Sequence, residues 1–328
     1  MCSRKFERRG RVGLSVVLGL TVLSLVVAPM LGAAEVYPSK PITLVVGMAP
    51  GGSVGITAEI FREVGKNYLP KAQPILIDYK PGAAQAIAAD FVFKQPADGY
   101  NLLWAEISLM VKIAKDGNLL SFKMEDFTFI GSMAPGPPIF AVNKESPFKK
   151  LVDFLDYAKK NPGKLSFGHS GVGSGSHFNY EVIRRGCGIE LNPIPFAGGA
   201  PITTAILGGH IDCATFASAT LGDHIKPGGG LRALATLSPE RWGEMPDLPT
   251  FLEKGYNVVY AAVHFLAAPK GTPQPVLDIL RNVFEKTAND PRAKEAAIRA
   301  KLIPKYQGPE EFEKEAKKVF EFAKEVYK

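Results

Sequence analysis

The chain has 328 residues, 46% hydrophobic and 22% charged, a balance that suits globular domains and is too apolar for disorder. Its net charge of +7 misleads, because the first 34 residues carry +4 of it and the rest carries +3 without a basic stripe. A nucleic-acid partner is therefore not expected, and three cysteines are too few for a disulfide scaffold.

Residues 1–11 are basic, Val12 to Ala34 carry no charge, and Gly32-Ala33-Ala34 precede Glu35. This three-part layout predicts a cleaved secretory signal over 1–34 and a soluble periplasmic or extracytoplasmic protein. Its rival is a retained membrane anchor, since the uncharged stretch is long enough to span a bilayer. Cys187 and Cys213 then sit in a compartment that permits a bridge, although each also reads as a small buried hydrophobe.

The body alternates strands and helices. Ile42 to Gly47 is a continuous apolar run, as expected of a strand buried on both faces. A helix follows over Ile56 to Leu69, a strand over Ile75 to Tyr79, a helix over Ala83 to Lys94 and a strand over Leu102 to Trp104. Strands over Phe127 to Gly131 and Ile139 to Val142 flank Pro135-Gly136-Pro137-Pro138. The cycle then repeats, with a helix over Leu151 to Lys160, a strand over Leu165 to Gly168 and a helix over His177 to Arg185. Asn192 to Phe196, Ile202 to Leu207, Ile211 to Phe216 and Leu221 to Ile225 continue it, before strands over Leu231 to Leu237 and Val258 to Ala268. Helices over Pro275 to Thr287, Arg292 to Lys301 and Glu310 to Tyr327 close the chain. The pattern predicts an α/β protein of two lobes, each a mostly parallel sheet flanked by helices, joined by two crossover strands. Residues 35–138 with 265–328 would form the first lobe and 139–264 the second, with the ligand site in the cleft between them.

Three strand-to-helix loops are rich in Gly and Ser: Ala49 to Gly55, Gly168 to His177, and Phe196 to Pro201. Glycine permits close backbone approach, and a helix start offers unpaired N–H groups with partial positive charge. Such loops suit a carboxylate or phosphate, with Ser53, Ser170, Ser174 and Ser176 as further donors; each is equally a plain capped turn. Enzyme motifs fail: there is no Gly-Lys-Ser/Thr ending, no dinucleotide fingerprint and no serine elbow around Ser170. The five histidines lack metal-type spacing, so neither metal nor cofactor is expected. Glu106, just after the third strand, is placed for a cleft or for a surface role, and Trp104, Phe196 and Phe216 are either selectivity contacts or core.

Tyr37-Pro38-Ser39-Lys40-Pro41-Ile42 with Ala49-Pro50-Gly51-Gly52 resembles the mature N-terminus of the tripartite tricarboxylate transporter substrate-binding proteins, the Bug family. Lys80-Pro81-Gly82-Ala83, Pro96 to Leu103, Pro162 to Gly168, Leu207-Gly208-Gly209-His210-Ile211-Asp212, Pro246 to Thr250 and Ala268 to Pro273 continue the resemblance in order. It implies a flytrap-like receptor that captures a small carboxylate and delivers it to a two-subunit membrane permease, and we expect a monomer. Carried across, it assigns Pro50, Gly51, Gly52 and Ser53 on one lobe, and His169, Ser170, Gly173, Ser174 and His177 on the other, with Ser108 closing the pocket. The chain departs from the pattern where the family has Asp at Gly55, Tyr-Lys-Gly at Phe196-Ala197-Gly198 and Asp-Ser at Ala217-Ser218. Those departures predict a less charged distal pocket, suited to an aromatic or aliphatic acid. A secreted hydrolase using Ser170 and a sensory receptor for a membrane kinase are the alternatives.

Overall fold

The computed structural model describes residues 37–221, 224–225, 228–260, 262–302 and 305–328. The signal expected over 1–34 lies outside them. The strands are β1 (Ile42–Val46), β2 (Ile75–Tyr79), β3 (Asn101–Glu106), β4 (Phe127–Gly136), β5 (Pro138–Asn143), β6 (Ser166–His169), β7 (Asn192–Pro195), β8 (Cys213–Ala217), β9 (Leu231–Thr236) and β10 (Ala262–Pro269). They form two five-stranded sheets of matching order, β2-β1-β3-β10-β4 and β7-β6-β8-β5-β9.

Each sheet is mostly parallel in strand direction, four strands to one, and is mixed only through a single antiparallel strand. In the first, β1 pairs in parallel with β2 and β3, while β10 runs antiparallel to β3 and β4. In the second, β6 pairs in parallel with β7 and β8, while β5 runs antiparallel to β8 and β9. The crossovers explain the difference. The chain passes from β4 to β5 through Pro137 alone, and returns to the first sheet on β10. A strand arriving from the other lobe enters at the cleft end, so it runs against the neighbours whose carboxyl ends face that cleft.

The helices are α1 (Ser53–Gly65), α2 (Ala86–Phe93), α3 (Ser108–Asp116), α4 (Leu151–Lys160), α5 (Gly175–Cys187), α6 (Gly199–Leu207), α7 (Ser218–Leu221), α8 (Gln274–Asn289), α9 (Pro291–Arg299) and α10 (Pro309–Val326). α3 has no counterpart in the sequence reading. Its apolar start, Leu109-Met110-Val111, continues the strand signal of β3, and only Ser108 and the Lys112–Asp116 pair mark the change of period. In the other direction, residues 258–260 are not strand: the Tyr260 N–H donates to the Leu237 carbonyl at 2.9 Å, which ties the approach to β10 to the second lobe. No helix among the described residues is long and apolar enough to cross a membrane.

The C-terminal helices cover the first sheet. α8 and α9 pack on α1 over one face, where Trp104 stands between Phe61 and Phe284 at ring distances of 5.2 and 5.9 Å. Trp104 is fully buried there and donates Nε1–H to Thr57 Oγ1 at 3.2 Å, so it is core and not a selectivity contact. α10 crosses the other face beside α3, and its end reaches the second lobe, where Phe322 meets Phe178 of α5 at 5.7 Å. Cys187 and Cys213 are both free and buried, as small hydrophobes would be. Burial pushes the Cys187 thiol up to about 12.

Candidate functional site

Between the lobes lies a cavity of about 170 Å³. Every sheet-to-helix turn on the cleft side contributes to its wall. From the first lobe come Met48 and Ser53 after β1, Ala84 and Gln85 after β2, and Glu106 and Ser108 after β3. From the second come Ser170, Ser174, Gly175 and Ser176 after β6, Gly199 after β7 and Thr215 to Ala217 on β8. Asn179, Ile202 and the crossover residues Pro138, Tyr260 and Ala262 complete it. This is the carboxyl-end location that open α/β sheets favour for ligands.

Five helices of eight residues or more start on this wall: α1 at Ser53, α2 after Gln85, α3 at Ser108, α5 at Gly175 and α6 at Gly199. Each start has backbone N–H groups without helical partners and a partial positive charge. No Lys, Arg or His is among the described residues of the wall. The donors it offers are main-chain N–H groups, hydroxyls and side-chain amides.

The first-lobe wall is braced from behind. His264 on β10 is fully buried, with Nδ1 3.0 Å from Thr57 Oγ1 and Nε2 3.4 Å from Ser53 Oγ. Burial alone lowers its pKa to about 3, so the ring is neutral. The Thr57 hydroxyl donates to the Val54 carbonyl at 3.0 Å, so Nδ1 carries the ring proton and donates to Thr57, and the bare Nε2 accepts from Ser53. Gln85 is reached through Gly82 to Gln85, where Ala83, Ala84 and Gln85 all hold positive φ (46°, 50° and 75°). Such strain in non-glycine residues is of the kind that collects at binding sites. Gly47 makes room for it, since a Cβ there would lie 2.8 Å from the Gln85 Cβ.

The second-lobe wall is a knot of serines. The Ser174 hydroxyl donates to the Gly171 carbonyl at 2.7 Å and accepts from the His177 N–H at 3.2 Å, capping α5. Ser176 Oγ accepts from the Ser170 N–H and lies 2.9 Å from Ser170 Oγ and 3.2 Å from Ser174 Oγ. Ser170 is the exposed member. Gly175 presses on the first lobe: a Cβ there would stand 3.2 Å from Glu106 Oε1 and 3.4 Å from Ser108 Cβ.

Of the ligand residues expected from sequence, Ser53, Ser108, Ser170, Ser174, Ser176 and Ala217 line the cavity, and the remaining assigned residues do not. Pro50, Gly51 and Gly52 form the exposed loop before α1, with Gly52 as its N-cap. Gly55 is buried inside α1 against Pro50 and Tyr79. His169 and His177 are buried beneath the serine loop, their rings 4.7 Å apart, and His177 Nδ1 is 2.8 Å from the Tyr327 hydroxyl. Burial first, and then the neighbouring His169, lowers the His177 pKa to about 4. Gly173 rests on Lys115 of α3. Phe196 packs beside Gly168, Ala197 is exposed and Gly198 precedes α6. Ser218 is fully buried and donates to the Lys301 carbonyl at 2.7 Å.

Sequence reasoning missed Gln85, Asn179, Thr215 and Tyr260. Phe216, left open there, does line the cavity. So does Glu106, which gives the pocket a carboxylate that the expectation of a less charged pocket did not count. Burial pushes its carboxyl up to about 7, against the downward pull of the Ser108 and Tyr260 hydroxyls.

Residues 60–325 match the model of the tripartite tricarboxylate transporter family receptor. The chain belongs to this receptor family. The receptor is 28% identical to the protein BugT of Bordetella pertussis over 282 residues, covering 85% of this chain and 86% of that protein. It superposes on a solved periplasmic transporter with a TM-score of 0.78 at 33% identity, over 88% of this chain and 97% of the other. Two more distant folds from Rhodopseudomonas palustris have TM-scores of 0.77. They are MatC with bound malate, at 22% identity over 89% of this chain and 100% of that one, and a protein with adipate, at 24% over 88% and 97%.

Proposed function

We propose that this receptor binds a small carboxylate in the interlobe cavity, outside the cytoplasmic membrane, and hands it to the permease of a tripartite transporter. The observation that carries the reading is the convergence of five helix starts on a wall that has no basic side chain among the described residues. The malate and adipate held by the two R. palustris neighbours agree with it. The solute enters between the lobes, its carboxylate engages the start of α1 with Ser53, and the serine loop closes on it from the other side. Residues 35–138 with 265–328 and residues 139–264 move as the two bodies, about the crossovers at Pro137 and Tyr260. Closure follows only if the ligand binds the closed arrangement better.

The reading is binding without chemistry, by a monomer. Ser170 Oγ is bonded to Ser176, no hydrogen bond joins it to a histidine among the described residues, and His177 Nδ1 faces Tyr327. A serine nucleophile needs a histidine within hydrogen-bond reach.

A thermal-shift screen of mono-, di- and tricarboxylates tests the reading. A ligand at a hundred times its Kd adds about 2.7 kcal/mol to the folded state and raises Tm with concentration. The same protein should turn over no ester. A flat screen, or turnover abolished by Ser170→Ala, would overturn the proposal.

A further inference from the structure

Glu106 is the one carboxylate among the described residues of the cavity wall, and no described cation shares that wall. Hydroxyls are gathered around its carboxyl, partly offsetting the burial that disfavours its charge. The Glu106 N–H donates to Gln85 Oε1 at 2.7 Å, which fixes the amide so that Gln85 Nε2 donates to Ser108 Oγ at 3.0 Å. Ser108 Oγ accepts there, so its own hydrogen is left for the Glu106 carboxyl, whose pKa its hydroxyl draws down. Tyr260 directs its hydroxyl at Glu106 Oε1 from 3.4 Å. Two hydroxyls that a ligand carboxylate would otherwise use are therefore committed to a protein carboxylate. A ligand carboxylate brought to this end would meet like charge in a site with little water to screen it.

A second acceptor, this one unpaired, belongs to a residue of the same wall. Asn179, 6% exposed, donates Nδ2–H to Thr215 Oγ1 at 3.1 Å and leaves Oδ1 buried with no donor. A buried acceptor without a partner costs roughly 1–3 kcal/mol, which a ligand donor would recover.

We propose that the cavity has two unlike ends and that its solute is an aminocarboxylate, with the carboxylate at Ser53 and the serine loop and an ammonium or other N–H donor at Glu106 and Asn179. The inference rests on the carboxylate-receptor reading and narrows it. A plain dicarboxylate of the same length satisfies one end and opposes the other.

Chain-matched pairs test it by calorimetric titration: 3-aminopropanoate against succinate, 4-aminobutanoate against glutarate, and 5-aminopentanoate against adipate. In the wild-type protein the amino member of the best-fitting pair should bind at least tenfold more tightly, about 1.4 kcal/mol. Glu106→Gln, nearly the same in shape, should remove that preference or reverse it. The wild-type ratio needs no variant, so a misfolded Glu106→Gln does not spare the inference. Dicarboxylates binding as well as or better than their amino partners would overturn it and leave the receptor reading intact. Silence from every pair and from the wider carboxylate screen would remove both.

Discussion

In the first lobe the loop from Gly47 to Gly52, and in the second the loop from Ser170 to Ser174, leave the same place: each follows the second strand of its sheet order and opens a helix of 13 residues. The backbone is thus duplicated, while the side chains behind it are not. Ser53 leans on a buried, neutral His264, with Thr57 and Trp104 behind it. The second loop is braced by its own serines and by His177 with Tyr327. On the proposed reading, the fold supplies a general preference for anions twice over, and selectivity falls to residues that differ between the halves, chiefly Glu106, Gln85 and Asn179.

The largest expected effect breaks the contact between the two walls. Gly175→Val places a branched side chain against Glu106 and Ser108. It should weaken ligand binding about a hundredfold, some 2.8 kcal/mol by titration, while the far-UV spectrum stays unchanged. Affinity within a factor of three of wild type would mean that the lobes do not close through this contact.

Next come the ionisable groups behind the walls. The His264 pKa falls from 6.5 to about 3 on folding, so the neutral ring's contribution is complete above 6.5 and is lost as pH falls toward 3. Glu106 has the opposite sense: its pKa rises from 4.5 to about 7, so its ionisation destabilises the fold progressively between those values and fully above them. Glu106→Gln should accordingly stabilise the free protein by up to ~3 kcal/mol at pH 8 in denaturant titrations, and by nothing below pH 4.5. An equal gain at both pH values would show that packing, not charge, is responsible.

Smaller effects compare the two loops directly. Ser170→Ala and Ser53→Ala each remove one hydroxyl and should each cost about 1 kcal/mol of affinity. Of similar size, but in stability alone, Tyr327→Phe keeps the ring stacked on His177 and removes its hydrogen bond, for a loss of about 1 kcal/mol of stability with ligand affinity unchanged. A changed affinity would place this contact in the closing motion.

Most of the architecture was legible because β1 is an apolar run between Pro41 and Gly47, because β5 and β8 are short and largely apolar, and because α8 to α10 have a clear helical period. The direction of β10 was not legible, since strand patterning carries no sense of where the chain re-enters a sheet. Several family motifs proved to be scaffold. Tyr37 donates to the Gly99 carbonyl at 2.6 Å, and Asp212 accepts from the Ser166 N–H at 2.8 Å and its hydroxyl at 2.7 Å. The site was half visible: Gly- and Ser-rich turns announced Ser53, Ser170 and Ser174. Gln85 and Asn179 are ordinary helix-forming residues in sequence, and only the fold turns them toward the cavity. His169 and His177 looked like ligand contacts because they flank the serine loop, yet the turn sends both rings beneath it.

The central claim is that main-chain dipoles from both lobes hold the solute's carboxylate. A crystal structure with the tightest acid from the screen tests it most directly. The account predicts a carboxylate within about 3 Å of backbone N–H groups at the start of α1 and in the 170–176 loop, between the lobes. A carboxylate seated on a lysine or arginine, or outside the interlobe cavity, would contradict it.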